Sequence, residues 1–251
     1  MYNESNKIVA IIQARMCSTR LPGKVLYEVD GVPLLSTMLK RIEKSKLLDQ
    51  VIVATSKNPA DDQVVAFCKQ ESVECFRGSE NDVLLRYYEC ANKYNANTIV
   101  RLTGDCPLID PIVIDKVIHF YFKNKVDYAA NTVPPETSVF PDGSDVEVFS
   151  YSALEKAHRQ ARSLKDREHV TFYFWKYNKN FTTAQLKQND NWSKYRFTVD
   201  YPEDFEVIEY IIRELIKRKS IGSLDEIIDI LNTNPKIRSK NEKYYFGIGW
   251  E

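Results

Sequence analysis

One stretch near the start of this sequence gathers side chains suited to holding a polyphosphate: Gln13-Ala14-Arg15-Met16-Cys17-Ser18-Thr19-Arg20-Leu21-Pro22-Gly23-Lys24. Arg15, Arg20 and Lys24 occur here with the hydroxyls Ser18 and Thr19 and the flexible Gly23, and no carboxylate interrupts them. Guanidinium forks and an ammonium match phosphate oxygens, and hydroxyls and loop amides add donors. A solvated basic loop would have the same composition, so the placement of the stretch matters. Its pattern is neither GxxxxGK[ST] nor GxGxxG, which removes support for a P-loop ATPase or a dinucleotide dehydrogenase.

Two distant aspartates supply the complementary chemistry. Asp105 stands in Thr103-Gly104-Asp105-Cys106-Pro107, and Asp200 in Asp200-Tyr201-Pro202-Glu203-Asp204. Mg²⁺ takes one or two protein carboxylates together with phosphate oxygens and waters. On a triphosphate it neutralises charge and stabilises the leaving pyrophosphate. Each aspartate also has a plain structural reading, Asp105 as a turn residue and Asp200 as a helix cap before Pro202. The pair meets the metal's demand only if the chain brings both to one place.

The elements that must do so can be read from hydrophobic rhythm. Apolar runs rich in β-branched residues at Ile8–Ile12, Val51–Ala54 and Thr98–Leu102 alternate with helical spacing at Pro33–Leu48, Ala60–Gln70, Val83–Tyr94 and Ile112–Phe122. Continuous apolar strands between amphipathic helices predict an α/β fold, a doubly wound, mostly parallel sheet covered on both faces. The basic stretch then follows the first strand, and Asp105 follows a central one, at the strand ends where open α/β sheets bind ligands. The second half predicts strands at Asp145–Phe149, Thr182–Leu186 and Tyr195–Val199. Helices are expected at Ser152–Ala161, Glu168–Tyr177, Pro202–Lys217 and Leu224–Leu231. We read 1–251 as one domain in which 131–165, opening on a stretch over 131–150 rich in Pro, Gly, Ser and Thr, forms an inserted small mixed α/β lobe.

Further candidates lie in three segments. Cys75-Phe76-Arg77-Gly78-Ser79-Glu80-Asn81-Asp82 follows a short strand, where Gly78 and Ser79 could meet a base edge and Asp82 could simply cap the next helix. Asp145 and Glu147, two apart on an alternating strand, share one face and could bind acceptor hydroxyls or an amine. Arg167 could clamp an acidic substrate, and His169 could act as donor or base, although a lone His near a helix start is commonly structural.

Ala14-Arg15 followed by Ser18-Thr19-Arg20-Leu21-Pro22-Gly23-Lys24 resembles the signature loop of the cytidylyltransferases that make CMP-activated sugar acids. The resemblance is to the spore coat polysaccharide biosynthesis protein F-like branch, related to CMP-KDO synthetases, and spans Ile8 to about Leu215. It implies that Arg15 and Lys24 grip the triphosphate of CTP, within a nucleotide site that also includes Ala14, Ser18, Arg20 and Gly23. It further implies Mg²⁺ on Asp105 and Asp200, in segments similar to the family's GDxP and D-x-P-E-D. Arg77, Gly78, Ser79 and Asp82 match the family's R-G-S-x-x-D-V-L loop bordering the base, and the preference for cytosine rests on that likeness. Asp145, Glu147, Arg167 and His169 match its P-x-G-x-D-x-E-V and R-E-H-V segments and are carried over as acceptor-site candidates. Gln13 departs from the proline usual in CMP-KDO enzymes. Family members are often dimers, which makes 131–165 the candidate contact in a homodimer.

Composition narrows the partners. Among 251 residues, Lys+Arg and Asp+Glu number 35 each, giving a net charge of +0 and no global field to attract nucleic acid or an anionic membrane. No apolar run of membrane-spanning length occurs, and the start of the chain does not read as a signal peptide. The five cysteines lack CxxC pairing, which points to reduced thiols in a cytoplasmic protein. The expected activity is Mg²⁺-dependent transfer of CMP from CTP to a sugar acid or related polysaccharide precursor. A glycosyltransferase using a nucleotide-sugar donor and a non-catalytic nucleotide-binding subunit are the alternatives.

Overall fold

The computed structural model describes residues 6–176 and 179–248. In chain order it begins with β1 (Ile8–Gln13), a short hairpin of β2 (Glu28–Val29) and β3 (Val32–Pro33), and α1 (Leu34–Ile42). Then come β4 (Gln50–Ser56), α2 (Asp62–Gln70), β5 (Glu74–Gly78), α3 (Val83–Lys93), β6 (Thr98–Thr103) and α4 (Pro111–Asn124). The second half contains β7 (Tyr128–Ala130), β8 (Glu147–Ser150), α5 (Tyr151–Gln160), α6 (Leu164–His169), α7 (Phe172–Trp175) and β9 (Thr183–Gln185). Helices α8 (Pro202–Arg218), α9 (Leu224–Thr233) and α10 (Pro235–Arg238) follow.

Seven strands form one sheet in the order β5-β4-β1-β6-β8-β7-β9. Strands β5, β4, β1 and β6 pair in parallel, β8 runs antiparallel between β6 and β7, and β9 pairs in parallel with β7. Successive β1 residues face opposite ways: Ile8, Ala10 and Ile12 join the core beneath α1, α4, α8 and α9, while Val9 and Ile11 join the core beneath α3 and α5. A strand buried on both faces has no polar face to present, which explains its uninterrupted apolar run. The 131–165 segment threads into this sheet through β8, and α5 packs on the α3 side of it.

Several expected boundaries move. Helix α1 stops at Ile42, short of the predicted Leu48, while Leu47 and Leu48 pack on the core from the following turn. The helix expected over Glu168–Tyr177 breaks at Val170, whose φ of +57° is incompatible with a continuing right-handed helix. That predicted helix ends on Tyr177, outside the described residues. The strand expected at Tyr195–Val199 is extended but makes only an isolated bridge, Asp142 to Arg196. Its alternating Tyr195, Phe197 and Val199 are buried in the core without joining the ladder. Among the described residues no helix is long and apolar enough to cross a membrane.

Candidate active site

The basic loop leaves β1 at the carboxyl edge of the sheet and is held there by its backbone. Ala14 N donates to Ala54 O at 3.3 Å, and Gly104 N donates to Gln13 O at 2.9 Å. A Cβ on Gly104 would lie 3.1 Å from both the Ala14 Cβ and Gln13 O, so the approach of the two loops favours glycine. Met16 N donates to Asp61 Oδ1 at 2.7 Å, and Met16 O accepts from Gly23 N at 2.8 Å. Gly23, at φ +73°, turns the chain so that Lys24 begins a short 3₁₀ turn facing inward.

Lys24 is 7% exposed, and its ammonium bridges the two distant aspartates. Nζ lies 2.7 Å from Asp105 Oδ2 and 2.6 Å from Asp200 Oδ1. Burial lowers the Lys24 pKa, but the Asp105 and Asp200 carboxylates outweigh it and hold the ammonium above its ordinary value. Burial likewise opposes ionisation of Asp105, yet Lys24 brings that carboxyl down to about 2. Backbone registers the pair as well: Asp105 O accepts from Val199 N at 2.8 Å.

Asp200 is further gripped by two arginines. Arg20 Nη2 lies 2.8 Å from its Oδ1, and Arg196 Nη2 lies 3.4 Å from its Oδ2. Buried Arg196 also pairs with Asp142 and makes two bonds to Asp204, at 2.9 and 3.1 Å. Asp204 Oδ2 in turn accepts from Asp200 N and Tyr201 N, each at 3.0 Å, fixing the turn into α8. Asp142 is pushed well above the usual carboxylate range by burial, which the opposing pull of Arg196 does not overcome. Nothing in the local sequence around Arg196, Asp142 or Asp204 announces this network, because its members meet only through the fold.

Arg20, Lys24, Asp105, Asp142, Arg196 and Asp200 line a cleft of about 480 Å³ at the carboxyl edge of the sheet. Of the expected phosphate groups, Ala14, Arg15, Ser18, Arg20 and Lys24 all line it, as do Asp105 and Asp200. Gly23 shapes the turn without lining the cleft. Asp145, Glu147 and His169 line the same space. Glu147 is committed to Arg101 at 2.7 Å and to Thr171 Oγ1 at 3.1 Å. Asp145 accepts from Thr132 Oγ1 at 2.6 Å and from Gly143 N at 2.8 Å, and burial, which these bonds oppose, pushes it up to about 6. Burial lowers the His169 pKa, and the ring stacks on Phe172 at 4.3 Å.

Arg77, Gly78, Ser79 and Asp82 of the expected base loop do not line the cleft. Arg77 donates to Ser56 O and Asn58 O and pairs with Asp62 at 2.6 Å. Ser79 Oγ accepts from Asp82 N, and Asp82 caps α3 by accepting from Leu85 N at 2.9 Å. Arg167 does not line the cleft either: its Nε lies 2.6 Å from Asp82 Oδ2, and its Nη1 donates to His158 O and Ala161 O. Neighbours that the sequence reading passed over face the cleft instead, Val83 and Arg86 from α3 and Arg101 from β6. Arg86 is 2% exposed, its Nη1 donates to Ser79 O at 3.1 Å, and its buried Nε has no acceptor. A Cβ on Gly78 would sit 2.7 Å from Arg86 Cγ, so this glycine makes room for the arginine. Helical spacing from Asp82 was the only available signal for Arg86.

Two carboxylates sharing one buried ammonium form a hard-oxygen donor set that already accommodates a cation. Among the described residues no group of three or more His, Cys, Asp or Glu could hold a metal by itself. An ion at Asp105 and Asp200 would therefore complete its shell from a ligand and water, as Mg²⁺ commonly does.

A family model described as cytidylyltransferase matches residues 9–234. The spore coat polysaccharide biosynthesis protein SpsF of Bacillus subtilis is 34% identical over 244 residues, covering 94% of this chain and 99% of that one. The structure of a cytidylyltransferase from Leptospira borgpetersenii superposes with a TM-score of 0.87 at 35% identity, covering 93% of this chain and 97% of that one. A CMP:2-keto-3-deoxy-manno-octonic acid synthetase complexed with CTP shares the fold, with a TM-score of 0.62 at 17% identity over 83% of this chain and 99% of that one.

Proposed function

The chain belongs to the cytidylyltransferase family, and from that premise we propose that it transfers CMP from CTP, with Mg²⁺, to a sugar acid or related polysaccharide precursor, releasing pyrophosphate. The observation that carries this reading is the convergence of Asp105 and Asp200 on Lys24, beside the basic loop after β1. In the proposed reaction an acceptor oxygen attacks the α-phosphorus in line, and the α–β bridging oxygen leaves with pyrophosphate. Arg15, Arg20 and Lys24 hold the phosphates and offset the charge that grows on the leaving group. Asp105 and Asp200 would hold Mg²⁺, which supplies charge neutralisation on the triphosphate. Arg196, through Asp204, keeps Asp200 oriented.

Asp145, Glu147 and His169 are the proposed acceptor contacts, since they face the cleft that the nucleotide would share. Arg167 is withdrawn from that set. The free cysteines fit a cytoplasmic setting. A homodimer through 131–165 is part of the proposal, with sedimentation velocity as its check. The activity is tested by pyrophosphate release with each of the four NTPs and a panel of acidic and phosphorylated sugars. Release is expected with CTP and one acceptor class; consumption of a nucleotide sugar without pyrophosphate would favour glycosyl transfer instead.

A further inference from the structure

Arg86 is an anomaly in electrostatic terms. A guanidinium carries five N–H donors and a fixed charge. Here it is 98% buried at the cleft wall, yet its side chain makes one hydrogen bond, to a backbone carbonyl. Its Nε is buried without an acceptor, and no carboxylate lies within salt-bridge distance among the described residues. The other buried arginines behave differently. Arg196 meets three aspartates, Arg101 meets Glu147, and Arg41 donates to four backbone carbonyls. A buried donor set left open is costly unless something arrives to use it.

The identity of that group follows from its surroundings. The phosphate end of the cleft is already supplied by the loop cations and the Lys24 bridge. Arg86 sits on the α3 side, where Val83 and Ala14 contribute apolar wall and Gly78 gives the side chain its seat. Apolar wall beside a fixed fork of donors suits a flat heterocycle better than a hydrated polyphosphate. Cytosine presents O2 and N3 as adjacent acceptors, which a guanidinium can engage with two parallel bonds. Uracil keeps O2 but carries a hydrogen on N3, so one arm of the fork would face another donor.

We propose that Arg86 reads the O2/N3 edge of the pyrimidine and gives this protein its preference for a cytosine over a uracil nucleotide. The proposal rests on the nucleotide-site reading above and assigns base discrimination to a residue outside the 77–82 loop. Its test is calorimetric titration of CTP and UTP, each with Mg²⁺, into wild type, Arg86→Gln and Arg86→Lys, with thermal melts to check folding. The expected result for Arg86→Gln is a CTP affinity lower by about 10- to 100-fold, the range for a lost pair of charged hydrogen bonds. UTP binding should change much less, so the ratio between the two nucleotides collapses. Arg86→Lys, which keeps the charge and loses the fork, should lose the ratio too. Equal losses for CTP and UTP would make Arg86 a phosphate contact and overturn the proposal, as would a ratio preserved in either variant. Wild-type protein that binds neither nucleotide would instead overturn the nucleotide site itself, and this proposal with it.

Discussion

Replacing Lys24 by methionine keeps the length of the side chain and deletes the ammonium between Asp105 and Asp200. The Asp105 carboxyl lies at about 2 in the folded protein against 3.8 for the free group. With each tenfold change in proton affinity worth about 1.4 kcal/mol, that difference contributes about 2 kcal/mol of stability at pH 7. The direction is set by the depressed value. The contribution is full above the unfolded pKa of 3.8 and is lost as pH falls through the folded value near 2. Removing Lys24 should therefore cost about 2 kcal/mol at pH 7 and about 1 kcal/mol at pH 3. Arg20 and Arg196 still neutralise Asp200 in the variant, which keeps the loss from reaching that of a wholly unpaired buried charge. Urea unfolding followed by circular dichroism at both pH values measures it. An unchanged midpoint at pH 7 would refute the reasoning. A loss equally large at pH 3 would assign the effect to packing instead of charge.

Asp105→Asn should lower turnover by about 10²-fold or more while the protein stays folded, measured as pyrophosphate release alongside a thermal melt. Near-normal release would remove Asp105 from the site. Arg167→Ala deletes the tie among Asp82, His158 and Ala161, so stability should fall by about 3 kcal/mol with CTP affinity nearly unchanged. A selective loss of acceptor affinity would restore Arg167 as a substrate clamp. Gly143→Ala places a Cβ 2.2 Å from Thr198 N at a φ of +93°. It should destabilise by about 2 kcal/mol or more, and a wild-type denaturation midpoint would contradict the tight approach.

The parts of the fold that could be read in the sequence are those governed by local burial. β1, β4 and β6 are covered on both faces, and their apolar runs record that directly, interrupted in β6 by Arg101. β7 is only Tyr128–Ala130, too short to show a rhythm. Tyr195–Val199 misled for a related reason: alternation reports which side chains enter the apolar core, not which backbone groups join a ladder. Lys24, Asp105 and Asp200, which meet in the cleft, could be singled out because each follows a recognisable strand or turn signal. Arg77 and Arg167 lie off the cleft lining, paired with carboxylates; charge alone does not say whether an arginine faces a cleft or a neighbouring acid. Asp62 and Asp82, which hold them, lie 15 and 85 residues away.

The bond from Val199 N to Asp105 O joins two stretches far apart in the chain. Main-chain groups are common to nearly every amino acid, so this seam persists whatever side chains change between its ends. Substitutions in the intervening residues can therefore reshape the rest of the cleft while Asp105 and Asp200 stay in step.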